Sequence, residues 1–287
     1  MNISKKTSKS TIPPEALVVL EKIENSQKKF KQKNIIALFG LTLFIFLLFY
    51  IIKLDVRFMA RWSIFILKGT GFTLLVSILA ISLASILSVL GALGRLSRNP
   101  LANSIASAYV SLIRGTPLLV QVYMWYLALP QLGKALQEQG FAGAQFFLTL
   151  PAIPAGILAL GVCYGAYMTE TVRAGIQSIA IGQREAARAL GMTERQAMRR
   201  IIFPQALRII IPPVSNNFIA MVKDSSLVSL MGVWELSFRA IKMGRRHFQS
   251  LEMLIMVAFI YWIICVILQY VQEKIEKHMA RGDRGVN

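Results

Sequence analysis

Uncharged, mostly apolar runs alternate along the chain with short polar and basic stretches. The runs cover residues 34–52, 69–94, 115–133, 139–169, 209–222 continuing as 225–234, and 253–272. A helix needs about 20 apolar residues to cross the hydrocarbon core, so this pattern predicts six membrane-spanning helices. Two of the six need more than a count. Residues 99–113, NPLANSIASAYVSLI, are too short for a span and too polar to face lipid throughout. After them, Arg114-Gly115-Thr116-Pro117 supplies a break, in which Thr116 can cap a helix and Pro117 suits its first position. The prediction is a short interfacial helix followed by a span from Pro117 to about Leu132. In the fifth run, Lys223 and Asp224 interrupt the apolar pattern.

Composition fits the same class. Of 287 residues, 55% are hydrophobic and 16% charged, and the mean hydropathy is +0.56; soluble domains carry about 25% charged residues. The net charge of +18 is not a nucleic-acid signature, because the basic residues fall between apolar runs instead of gathering on one soluble face. Cys163 and Cys265 both sit inside apolar stretches and read as small core residues, not as a disulfide. The first 34 residues hold eight lysines against three glutamates and show no cleavage site of the signal-peptide kind. They read as a retained cytosolic tail, with residues 15–33 as a helix resting on anionic lipid. With that tail inside, cytosolic segments hold 22 of the 32 Lys and Arg, and the opposite side holds 9. The bias places both termini in the cytosol.

That orientation puts residues 173–210 in the cytosol. Glu185 to Leu190 are mostly strong helix formers. Gly191 can take positive φ and end that helix, and Thr193 can cap a second one. Pro204 and Pro212-Pro213 then break the chain before the next span. The segment reads as helix, sharp turn, helix. It is either a loop hugging lipid headgroups or a docking element, since its alanines permit close approach by another backbone.

Glu185-Ala186-Ala187, Gly191, Ile201 and Phe203-Pro204 reproduce a gapped pattern: E-A-A, three residues, Gly, nine residues, Ile, one residue, Leu-Pro. Only Phe203 departs from it. In this the segment resembles the EAA loop of permease subunits of binding-protein-dependent ABC importers. The flanking YMTETVRAGIQSIAIGQREAARALGM, LIRGTPLLVQ (residues 112–121) and VKDSSLVSLMGVWEL (residues 222–236) resemble the polar amino acid branch, whose substrates include His, Glu, Gln, Arg and opines. The resemblance spans about residues 65–275. It implies an all-α polytopic bundle with a MetI-like five-helix core, the coupling loop at 173–210 and a cytosolic C-terminal tail at 276–287. The basic tail 1–34 and an extra N-terminal span at 35–52 lie outside it. It further implies a second permease chain, identical or homologous, an extracytoplasmic substrate-binding protein, a bacterial inner-membrane location, and a cytosolic ATPase dimer. The ATPase would engage Arg184, Glu185, Ala186, Ala187, Arg188, Gly191, Ile201 and Pro204, with further arginines at 195, 199 and 200.

The chain itself has no GxxxxGK[ST] loop and no HExxH, and its two histidines, His247 and His278, lie far apart. No catalytic residue, metal ligand or cofactor site is expected, and ATP would be bound by the partner. Charged residues at membrane depth are functional candidates by default. Lys223 and Asp224 would flank an unwound stretch in which the Ser225 and Ser226 hydroxyls take up freed backbone groups or substrate, or else would form an ion pair holding a kink. Glu170 and Arg173 have salt-bridge spacing; Glu170 is alternatively a recognition point for a substrate ammonium. Thr116, Pro117 and Gln121 are candidates for a gate or path lining, or else an ordinary helix start and an interhelical hydrogen bond. Tyr123, Trp125 and Tyr126 read as an interface belt. The competing class is an ion-coupled carrier or channel without an ATPase, for which Asp224 and Glu170 are few coupling carboxylates.

Overall fold

A computed structural model describes residues 39–40 and 53–281. The extra span at 35–52 and the tail helix at 15–33 lie outside the described residues, apart from Phe39 and Gly40, which are helical. The chain divides into two compact units, Met1–Asp55 and Val56–Asn287, and every helix from Val56 onward belongs to the second.

Apolar runs without water to satisfy their backbone must close their hydrogen bonds internally, and among the described residues every regular element is helical. The order is α1 (Val56–Leu67), α2 (Thr70–Leu96), α3 (Pro100–Arg114), α4 (Leu118–Glu138), α5 (Ala144–Leu148), α6 (Ala152–Gln177), α7 (Ile181–Ala189) and α8 (Glu194–Ala197). A π turn (Met198–Ile202) leads into α9 (Phe203–Asp224), a 3₁₀ stretch (Ser225–Met231), α10 (Leu236–His247) and α11 (Ser250–Arg281). Three of these, α2, α6 and α11, are long and apolar enough to cross a membrane, or four spans result if the bent pair α3–α4 counts as one. The fifth expected span, α9, is long enough at 22 residues, but Arg208, Pro212, Pro213, Ser215, Asn216 and Asn217 dilute its apolar character, so it does not qualify by composition.

The centre of the bundle is α6, which is far more enclosed than α2 or α11. Small residues bring it there. A Cβ on Gly161 would stand 2.6 Å from Leu83 of α2, one on Gly165 2.8 Å from Leu87, and one on Gly156 2.8 Å from Val228. Without a hydrophobic drive between helices in lipid, this backbone proximity is how the contact is made. The main core gathers Val76, Ala80 and Ala84 of α2, Val122 of α4, Leu160, Tyr164 and Met168 of α6, and Met221 of α9. Trp125 and Tyr126, expected in an interface belt, pack against this core instead.

Of two other boundaries, one differs from expectation and one agrees with it. The run 139–169 is not one helix: Gly140 (φ 97°) and Gly143 (φ 84°) turn the chain, α5 folds back on Gly133 of α4, and α6 starts only after Pro151. Hydropathy is blind to these turns because glycine and proline carry no charge. In the fifth run the interruption is real: α9 ends at Asp224, the chain tightens to 3₁₀ geometry, and Gly232 at φ 83° stops it.

Candidate coupling segment and membrane-depth polar sites

Helix α7 ends in a Schellman motif. The N–H of Met192 donates to the carbonyl of Ala187 (3.0 Å) and that of Gly191 to Arg188 (2.9 Å), with Gly191 at φ 73°. Thr193 then opens α8 with a reciprocal capping box: its hydroxyl accepts from the N–H of Gln196 at 3.3 Å, and the Gln196 side chain accepts from the N–H of Thr193 at 2.9 Å. An exposed pair bridges the turn, with Arg188 Nε donating to Glu194 Oε1 at 2.7 Å. The amide of Gln205 on α9 reaches back to Gln183 at 3.4 Å.

Of the predicted docking residues, Glu185, Ala186, Arg188, Gly191 and Pro204 are exposed, and Arg184 and Ile201 are half-buried. Ala187 is fully buried, the one such residue on α7, where that helix meets α8 and the π turn. It therefore fastens the handle to the bundle, while Ile181 and Leu190 stand exposed at the ends of α7.

The π turn has a local cause. Pro204 has no N–H to offer the carbonyl four residues back, and its ring crowds that carbonyl, so the preceding turn widens and Phe203 bonds to Met198 instead. From its last residue onward, Ile202, Ala206 and Ile210 fall on one helical face. They pack on Ala92 of α2, Val172 and Ile176 of α6, and Ile179. The contact with α6 is close: a Cβ on Gly175 would stand 2.3 Å from Ile210 Cγ1. The π turn, which α7 contacts, is thus joined through packed side chains to α9 and the central helix.

At the α3–α4 elbow, which bends by 108°, Thr116 does not cap α4. Its hydroxyl donates to the Leu112 carbonyl at 3.0 Å, and Pro117 occupies the cap position, so the helix starts one residue later than predicted. Buried Gln121 holds the break together. Its amide donates to the carbonyls of Ile113 (2.7 Å) and Thr116 (2.9 Å), and its oxygen accepts from Cys163 Sγ of α6 (2.8 Å).

Asp224 is not paired with its neighbour Lys223. It accepts from the Tyr164 hydroxyl of α6 at 2.6 Å, while Lys223 is exposed. Ser225 is buried and donates to the freed carbonyl of Val222 at 2.7 Å; Ser226 is half-buried. Glu170 accepts from Arg173 (2.9 and 2.8 Å) and lies 3.4 Å from Arg95 of α2, so the carboxylate ties two helices together.

Sequence reasoning missed Glu235. It is fully buried and accepts hydrogen bonds from the N–H groups of Ser237 (2.9 Å) and Phe238 (2.7 Å), from Tyr261 (2.8 Å) and from Thr73 (3.4 Å). Burial pushes its carboxyl above the ordinary range, against the pull of those four donors. The only local signal was a cap-competent acid immediately before a helix start.

These features define an all-helical membrane bundle bearing a capped helix–turn–helix segment whose π turn and following helix pack on its central helix. The comparisons with known proteins place it further. Residues 84–281 match the family "Binding-protein-dependent transport system inner membrane component", and the chain belongs to that family. It is 42% identical over 178 residues to the L-cystine transport system permease protein of Bacillus subtilis (strain 168), covering 62% of this chain and 70% of the relative. The arginine transport system permease protein of the same organism is 33% identical, covering 76% of this chain and 94% of the relative. Among solved structures, an amino acid ABC transporter superimposes with a TM-score of 0.69 at 34% identity, over 78% of this chain and 99% of that one. An inward-facing methionine ABC transporter shares the fold, with a TM-score of 0.63 at 19% identity, over 76% of this chain and 98% of that one.

Proposed function

We propose that this chain is the permease subunit of an ATP-driven importer for a polar amino acid or a related compound, in the bacterial inner membrane with both termini cytosolic. The observation that carries the reading is α7: an exposed helix locked at one end by a Schellman turn and a capping box, seated by buried Ala187 and in contact with α8 and the π turn that leads into α9. A surface helix held this firmly is built to transmit force. The amino acid class is supported by the relatives, which include permeases for cystine and arginine. Two permease chains, identical or homologous, enclose the path. A cytosolic ATPase dimer grips one α7 on each, and an external binding protein delivers substrate. The chain itself does no chemistry. ATPase closure moves α7, the rigid turn carries the motion to the π joint, and α9 shifts against α2 and α6, which is rigid-body rocking of packed elements.

Asp224 and Glu170 are the acidic groups at depth that an ammonium would meet, with the Ser225–Met231 stretch as the unwound segment beside the path. The test is ATP hydrolysis by the reconstituted complex with a panel of loaded binding proteins. Stimulation by an amino acid-loaded binding protein, with matching uptake, is the expected result. Uptake that persists without any ATPase, or stimulation by no amino acid, overturns the reading.

A further inference from the structure

The end of α2 far from the coupling segment carries a shelf formed by α1 and α10. The two helices come together there because Gly69 admits the backbone of Leu236 to within 2.7 Å of where a Cβ would sit, and Thr73 bonds Glu235. Each helix leads directly into a span, α1 into α2 and α10 into α11. The inward faces pack as one cluster: Phe58 and Ile66 of α1 with Leu236, Ala240 and Met243 of α10 and Met253 of α11. What remains outward is of two kinds. Arg57, Arg61, Lys242, Arg245 and Arg246 are exposed cations. Beside them, Val56, Ile64 and Phe248 are exposed apolar side chains, Phe248 at 96%.

Residues 56–69 and 236–251 contain no acid at all, and among the described residues no ion pair engages Lys242, Arg245 or Arg246. Arg239 is committed internally, donating to the Trp234 carbonyl at 2.9 Å and lying 4.9 Å from the Phe65 ring centroid. The Lys242 side chain makes no hydrogen bond or ion pair among the described residues: it is exposed and sets Nζ over the Trp234 ring, 4.1 Å from the centroid. Cations on long stems beside exposed apolar groups and tryptophans are what a helix in the headgroup plane presents.

We infer that the α1–α10 shelf binds anionic phospholipid headgroups through Lys242, Arg245 and Arg246. A hydrated acidic protein surface would match the charge but would leave Val56, Ile64 and Phe248 in water; the headgroup region accepts both kinds of group. Neighbouring zwitterionic lipid satisfies the apolar part equally, so the discrimination rests on the cations.

The test uses the full chain in vesicles, and its lipid-quenching arms are independent of the importer reading, because they need no ATPase. Trp125→Phe and Trp262→Phe leave Trp62 and Trp234 as reporters on the shelf. Quenching by brominated phosphatidylglycerol is compared with quenching by brominated phosphatidylcholine. One basic residue near an anionic surface contributes about a fivefold preference, so at least a tenfold preference for phosphatidylglycerol is expected. Adding Lys242→Gln, Arg245→Gln and Arg246→Gln, or 0.5 M salt, should bring it to within about twofold of parity, since screening shortens at high ionic strength. Phosphatidylcholine quenching should persist in the triple variant, which shows that the shelf still folds. Equal affinity for the two lipids in the unsubstituted shelf overturns the inference. So does loss of binding-protein stimulation by the triple variant in pure phosphatidylcholine, which would make the shelf a protein dock.

Discussion

Substitutions at Gly191 separate a handle from a loop. The residue sits at φ 73° with nothing within 4 Å of where a Cβ would be. Sterics against neighbours therefore contribute nothing, and only the backbone conformation discriminates between substituents. Alanine in this region costs about 1–2 kcal/mol, which shifts the turn equilibrium roughly 5–30-fold. Asparagine, which visits left-handed geometry more readily, costs less. Proline fixes φ near −65° and deletes the N–H that Gly191 donates to Arg188 at 2.9 Å, so the Schellman turn cannot form. If α7 transmits ATPase motion, coupling falls in the order Gly, Asn, Ala, Pro. The Arg188–Glu194 bridge and the Thr193 box remain to support the alanine variant, so it should retain part of its activity; proline should retain none. The assay is binding-protein-stimulated ATP hydrolysis and substrate carried per ATP in vesicles. Thermal denaturation in detergent confirms that the bundle is intact. A Gly191→Pro complex whose stimulated hydrolysis is within twofold of the unsubstituted one refutes the reasoning.

Three further outcomes follow from burial and close approach. Leu190→Asp lies on the exposed end of α7 and should abolish co-purification with the ATPase without changing the melting temperature of the permease. Ala187→Asp, at a fully buried position, should lower that temperature as well, because an unpaired buried charge is costly; equal effects of the two on melting would contradict the assignment. Gly175→Ala drives a Cβ toward Ile210 and should destabilise by about 1–3 kcal/mol. Adding Ile210→Ala should recover more than half of the melting-temperature loss, and strict additivity would disprove the contact. For Glu235, the folded carboxyl is raised above its ordinary value, so the folded state binds its proton more readily than the unfolded state does. Its contribution is favourable at low pH and is lost as pH rises through the folded value. Going down from neutral pH toward the ordinary carboxyl range, the unsubstituted chain should gain stability relative to Glu235→Gln. A difference in melting temperature between the two that does not change with pH would count against a charged, buried carboxylate.

What could be read from the sequence divides by the reach of the interaction. The turn at Gly191 and the cap at Thr193 are satisfied by residues within five positions, and both were legible because the residue type states the backbone geometry it needs. The Glu170–Arg173 pair is equally local. Glu235 was not legible: its partners Thr73 and Tyr261 lie 162 and 26 residues away, and a lone acid after a tryptophan gives no hint that four donors converge on it. Thr116 failed for a related reason. Its local geometry allowed a cap, but Gln121 and the Leu112 carbonyl offered better partners. The π turn lay between these cases, since Pro204 announces a disturbance but not whether the chain kinks, breaks or widens.

Ala187 shows where a pattern match and a physical account diverge. The resemblance marks Glu185-Ala186-Ala187 as one recognition unit, which suggests a single role. In the fold, Glu185 and Ala186 face outward while Ala187 is sealed against α8 and the π turn. A larger side chain at that position would prise α7 off its base even with no ATPase present. Smallness at Ala187 is thus demanded from inside the permease, whereas smallness at Ala186 is free to serve the partner. A substitution series at the two sites should therefore separate by side-chain volume at Ala187 and by shape complementarity to the ATPase at Ala186.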